Sequence, residues 1–121
     1  MHVVAPILPT ADFATVKPWT RAFAEALVRA APKRYVATAS KSRRRGKIYL
    51  DYLRNGRGAT AICPYSTRAR DGAHMAATLS WEELTAHVRP PALDIDAVRE
   101  RVEDGVDPWP GYAELRQRLP P

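Results

Sequence analysis

Lys47, Ile48, Tyr49, Leu50, Asp51, Tyr52 and Leu53 alternate with a period of two, the spacing of a strand whose residues point to opposite faces in turn. Ile48, Leu50 and Tyr52 fall on one side, and Tyr49, Asp51 and Leu53 on the other. Asp51 is thereby taken off the aliphatic face. The charge around this strand is lopsided: between Lys33 and Arg70 lie eleven of the nineteen Lys and Arg residues and one of the thirteen carboxylates, Asp51. A lone acid in so basic a segment is suited to hold a cation, while the surrounding bases hold an anion such as phosphate. That combination points to nucleotide chemistry. The plainer alternative is a solvated basic face with Asp51 paired to Arg54 or Lys47.

Elements on either side of the strand build an α+β layer. Val3 to Leu8 is a short apolar run closed by Pro9 and reads as a buried strand. Asp12 is placed to cap a helix carrying Val16, Trp19, Phe23, Leu27 and Ala30 on one side, with Pro32 ending it. The aromatic residues Trp19, Phe23 and Trp81 occupy core-like helical positions. After the central strand, Arg54-Asn55-Gly56-Arg57-Gly58 suggests a hairpin into a strand from Ala59 to Cys63, stopped by Pro64. Cys63 would then be a small buried filler.

Ser80-Trp81-Glu82-Glu83 has capping-box spacing and predicts a helix from Trp81 to about Val88, ended by Pro90 and Pro91. A further helix is predicted over Ile95–Glu103, with Val98 and Val102 inward and Gly105 as its stop, and a short one around Tyr112 to Arg118. Asp94-Ile95-Asp96 lies at a helix start, where capping is the simplest role. Strand, helix, strand, strand and small helices make a small mixed or antiparallel sheet with flanking helices. A sheet beginning so near Met1 leaves an edge to be covered.

The bounds are those of one domain. At 121 residues with 45% hydrophobic and 26% charged, and with no apolar run near the roughly 20 residues of a membrane span, the chain reads as globular and cytoplasmic. MHVVAPILP lacks the basic start of a secretory signal. One cysteine permits neither an internal disulfide nor a cysteine metal cage. His74 and His87 have no partner at metal-ligand spacing and read as surface or helix-side residues.

The strings HVVAPI, GKIYLDYLRNGRG, ICPYSTRAR and DPW resemble the C-terminal half of the polymerase domain of bacterial ligase D, from His2 to about Trp109. That domain is one of the archaeo-eukaryotic primase-like polymerases, which fill and extend broken DNA ends in non-homologous end joining. The resemblance implies a partial primase-polymerase palm, with a sheet and nucleotide-contact half over about 1–72 and a helical part over about 78–121. It implies that Asp51 is the third metal-binding carboxylate and that His2 contacts the triphosphate of the incoming nucleotide. Lys41, Arg44 and Arg68 match further nucleotide contacts, with Arg54 at a more variable position and Lys47 and Arg70 as additional candidates. Magnesium or manganese, a nucleoside triphosphate and DNA ends are the implied ligands. The ligase module, Ku and a missing N-terminal half are implied partners, in a bacterial, nucleoid-associated setting.

The family's Asp-x-Asp pair and the serine that opens its second motif lie upstream of the position of His2 and have no counterpart in this sequence. Two-metal nucleotidyl transfer by Asp51 alone is therefore not expected. Three readings stay open: a fragment or split half of an end-joining polymerase, a non-catalytic nucleic-acid-binding module gripping phosphate, and a decayed product without a stable fold.

Overall fold

The computed structural model describes residues 1–69, 71–85, 93–106 and 108–120. Phe13–Ala30 forms α1, Tyr35–Val36 β1, Ile48–Tyr49 β2, Trp81–Thr85 α2 and Ile95–Glu103 α3. Single 3-10 turns cover Ser42–Arg44 and Tyr112–Glu114. Arg70, His87 and the predicted ends of the Trp81 helix at Val88, Pro90 and Pro91 lie outside the described residues.

The chain divides into two compact units that interleave in sequence. One joins Met1–Pro6 to Ile62–Arg116, and the other joins Ile7–Ala61 to Gln117–Pro121. Charge follows the division. The second holds thirteen Lys and Arg against three carboxylates, a formal net of +10, and the first holds six against ten, a net of −4. They are called the basic and the acidic unit below.

In the basic unit α1 starts where the sequence places it, because the Asp12 carboxylate accepts the Thr15 amide at 2.8 Å. That bond holds the Asp12 carboxyl below its ordinary value. Pro18 sits inside α1, and the helix stops before Pro32, at the Ala31 cap. The buried position of α1 is Ala24, 4% exposed, and α1 packs against β1, whose Val36 is also buried. A small residue there lets the helix approach the sheet closely. The predicted stripe is therefore rotated: Phe23 is 53% exposed and stacks flat on Trp19, centroids 5.6 Å apart, while Trp19 Nε1 donates to the Pro120 carbonyl at 3.0 Å. Gln117 accepts the Leu8 amide at 2.8 Å, so the tail is tied to this unit.

The sheet is two-stranded and parallel, with Tyr35 opposite Ile48 and Val36 opposite Tyr49. β2 is shorter than the predicted strand because side chains take over its backbone. Asp51 Oδ1 accepts the Leu53 amide at 3.0 Å and Tyr52 O accepts from both the Asn55 amide and its Nδ2, turning the chain at once. The segment from Ala59 to Cys63 consequently returns without forming a ladder, and Cys63 is exposed. The expected faces are exchanged only at the first pair, where Tyr49 is half-buried beside the buried Val36 and Ile48 is 56% exposed; Leu50 and Tyr52 are half-buried and Asp51 and Leu53 exposed, as the alternation predicts. Among the described residues Val3 to Leu8 makes no strand pairing either.

In the acidic unit the capping box forms as written, with the Ser80 amide on Glu83 Oε2 at 2.8 Å and the Glu83 amide on Ser80 Oγ at 3.2 Å. Trp81, which the pattern placed inward, is 66% exposed. Asp94 caps α3 through the Ala97 amide at 2.9 Å. At the other end Gly105, at φ +68°, closes a Schellman motif in which the Val106 amide reaches Arg101 O and the Gly105 amide reaches Val102 O. Val98 is 4% exposed as expected, but Val102 is 59% exposed, so only one turn of α3 faces inward. Arg101 forks onto Glu83 and fastens α3 to α2. Thr67 and Met75 make an isolated antiparallel bridge, and the His74 ring beneath it has a buried Nδ1 without a hydrogen-bond partner among the described residues.

Candidate functional site

A parallel pair needs a crossover, and here the crossover, residues 37–47, is the basic stretch itself. It leaves the carboxyl end of β1 and comes back to the amino end of β2. Asp51 follows the carboxyl end of β2, the side on which open parallel sheets receive ligands. Lys41, Arg44, Asp51 and Arg54 thus share one unit, placed by two short strands and the loop between them.

Asp51 is exposed, and its two oxygens do different things. Oδ1 holds the Leu53 amide, and Oδ2 lies 3.8 Å from Arg54 Nε. Arg54 is itself anchored, donating from Nη1 to the Thr60 carbonyl at 2.6 Å across the turn. Arg54 therefore clasps the turn that carries Asp51 and faces the carboxylate only loosely. Lys41 precedes the 3-10 turn and is exposed. Arg44 closes that turn, half-buried, with its guanidinium carbon 4.9 Å from the centroid of Tyr49. Burial and then the Asp51 charge raise the Tyr49 phenol above its ordinary value, so Tyr49 is a neutral ring at physiological pH.

On the same unit lies an open recess of about 700 Å³, lined by Tyr35, Arg43, Lys47, Tyr49 and Tyr52 together with the Arg21–Glu25 pair of α1. Its volume is in the range of small-molecule sites. Periodicity had given Tyr49 no role and Arg43 only a share in a basic run. The cue for Tyr49 is its position two residues before Asp51, but which cation meets its ring depends on the loop.

His2 and Arg68 belong to the acidic unit. His2 is exposed in the amino-terminal segment, and Arg68 is exposed beside the Thr67–Met75 bridge, its amide on the His74 carbonyl at 3.0 Å. Among the described residues no three His, Cys, Asp or Glu side chains gather to hold a metal ion. Asp51 by itself supplies one carboxylate. That does not fit a two-ion centre, which needs several oxygen ligands in near-octahedral array.

The described residues thus form a small α+β layer that sets one carboxylate at the carboxyl end of parallel strands, among a concentration of cations. The chain belongs to the LigD primase-polymerase domain family, whose pattern matches residues 1–109. It is 35% identical over 121 residues to the multifunctional non-homologous end joining protein LigD of Pseudomonas aeruginosa, covering 98% of this chain and 14% of that protein. The bifunctional non-homologous end joining protein LigD of Bacillus subtilis is 34% identical over 104 residues, 85% of this chain and 17% of that protein. The solved polymerase domain from Mycobacterium tuberculosis ligase D in complex with DNA superposes with a TM-score of 0.71 at 29% identity, over 78% of this chain and 33% of that one. The chain thus spans about one seventh of the Pseudomonas protein and a third of the solved domain. Among the described residues no helix is long and apolar enough to cross a membrane.

Proposed function

We propose that these 121 residues are one part of a LigD-type repair polymerase that adds nucleotides at DNA ends in non-homologous end joining. The observation that carries this reading is the match over residues 1–109, together with the placement of Asp51, Lys41 and Arg44 on one basic unit. In it the whole chain is a single partial polymerase-type domain, with the sheet and nucleotide contacts over about 1–72 and the helical part over about 78–121. His2 contacts the triphosphate of the incoming nucleotide, and Lys41, Arg44 and Arg68, with Arg54 at a more variable position, are further contacts to its phosphates. Asp51 serves as one metal-binding carboxylate; the remaining ligands come from residues outside these 121, on the same polypeptide or another. Magnesium or manganese, when bound, would lower the charge on the attacking hydroxyl and on the leaving pyrophosphate. What this chain itself supplies is phosphate binding and the orientation of a carboxylate fixed by the Leu53 amide. Nucleoside triphosphate and DNA ends are the substrates, the ligase module and Ku the partners, and a bacterial cytoplasmic, nucleoid-associated location follows.

The isolated chain is proposed to have no polymerase activity. Primer extension tests this directly, first with the chain alone and then after mixing with the upstream part of the Pseudomonas polymerase domain. Addition is expected only in the mixture, and to disappear with Asp51→Ala. Template-dependent addition by the pure chain, abolished by Asp51→Ala, overturns the proposed inactivity. A second reading is a non-catalytic nucleic-acid-binding module, favoured by the net +10 of the basic unit. Salt-sensitive DNA binding with no nucleotide addition in the mixture would select it.

A further inference from the structure

Arg44 differs from its neighbours in the crossover. Lys41, Arg43, Arg45 and Lys47 are exposed, whereas Arg44 is half-buried with its guanidinium over the Tyr49 ring. The backbone delivers it there. Arg44 N donates to Lys41 O at 3.3 Å, Lys47 N donates to Arg44 O at 3.1 Å, and Gly46 between them adopts φ +67° to turn the chain back into β2. Tyr49 is placed by β2, where it is half-buried and paired in register with the buried Val36. One strand thus carries the ring, and the residue two places on is Asp51.

We propose that Tyr49 is a positioning residue that fixes Arg44 for binding the triphosphate of a nucleotide. This rests on the reading above that Arg44 contacts nucleotide phosphate. A guanidinium lying on a ring is attracted by the negative face of the π system, and its N–H donors, which lie in its own plane, stay available for an anion. Stacking also removes rotamer freedom that an unstacked arginine loses when phosphate arrives. The interaction uses the ring face and not the hydroxyl, so phenylalanine should replace tyrosine while an aliphatic residue should not.

The test is calorimetric binding of inorganic triphosphate and of ATP to the full chain at low salt. Arg44→Ala is expected to weaken both by about tenfold, the loss of a charge-assisted contact. Tyr49→Leu is expected to weaken them by about two- to five-fold, and Tyr49→Phe to bind as the native chain does. In the native chain the Arg44 side-chain methylene protons should show upfield ring-current shifts in NMR spectra, kept in Tyr49→Phe and lost in Tyr49→Leu. Wild-type affinity in Tyr49→Leu overturns the inference. So do unshifted Arg44 protons in the native chain, a measurement that depends on no variant folding. If Arg44→Ala binds triphosphate normally, the nucleotide reading of Arg44 falls first and the clamp goes with it.

Discussion

Arg101→Ala should destabilise the acidic unit well beyond the loss of an ordinary surface ion pair. The Arg101 and Glu83 side chains are 22% and 32% exposed, and they meet as a two-pronged fork, Nη1 on Oε1 and Nη2 on Oε2 at 3.2 Å. Nη2 also reaches the Thr78 carbonyl at 3.3 Å. The hydrogen bond to Glu83 is the main reason the Arg101 guanidinium is held still more firmly protonated. A hydrogen bond to a charged group contributes about 1.5–3 kcal/mol, and the remaining solvent access lowers this to a coupling of about 1–2 kcal/mol. Arg21–Glu25 is the internal control. Its contact is 2.8 Å, but its side chains are 62% and 44% exposed, and such a helix-surface pair contributes about 0.3–0.5 kcal/mol. Glu83→Ala should cost about 1 kcal/mol more than Arg101→Ala, because it also removes the acceptor of the Ser80 amide. Two double-mutant cycles in urea, Glu83/Arg101 and Arg21/Glu25, read the couplings free of that capping contribution. Equal couplings in the two cycles would refute the reasoning that burial and fork geometry set the strength.

The Asp12 carboxyl is held below its ordinary value of 3.8 by the Thr15 amide, so its stabilisation is complete above that value and is lost as pH falls through the lower folded one. NMR of the first turn of α1 should show fraying in that acid range, and Asp12→Asn should remove the pH dependence while keeping an acceptor. Gly105→Ala should lower stability by about 1 kcal/mol in thermal unfolding, since φ is +68° and a methyl group there meets no atom within 4 Å, leaving backbone strain as the only cost. Deleting residues 117–121 should expose the Trp19 indole N–H to rapid hydrogen exchange, because the Pro120 carbonyl accepts it. Lys41→Ala should flatten the dependence of single-stranded DNA affinity on salt by about 0.7 in the log–log slope if Lys41 meets a phosphate.

What could be read in advance was whatever neighbours along the chain decide. Asp12, Asp94, the Ser80–Glu83 box and Gly105 each act on backbone groups within about one turn, so their roles follow from spacing. Asp51 was legible in the same way, as a single acid in a basic run. The strands were harder. A period of two shows that residues alternate but not which partner fills the ladder, and the partner of β2 proved to be Tyr35–Val36 upstream instead of Ala59–Cys63 downstream. Side-chain bonds from Asp51 and Asn55 folded the following residues into a turn before a hairpin could pair.

Residue identity and short spacing were enough for the family, the ends of α1 and α3, the start of α2, the lone carboxylate and the concentration of positive charge before Asp51; the helix expected around Tyr112 to Arg118 is a single 3-10 turn over Tyr112–Glu114. The tertiary structure decided the rest. It chose the parallel pairing, placed Ala24 and not Phe23 against the sheet, left Ile48 and Trp81 exposed, and seated Arg44, alone of the crossover cations, on Tyr49. These are outcomes of which surfaces meet, and they depend on the whole set of contacts competing for the same backbone and the same face.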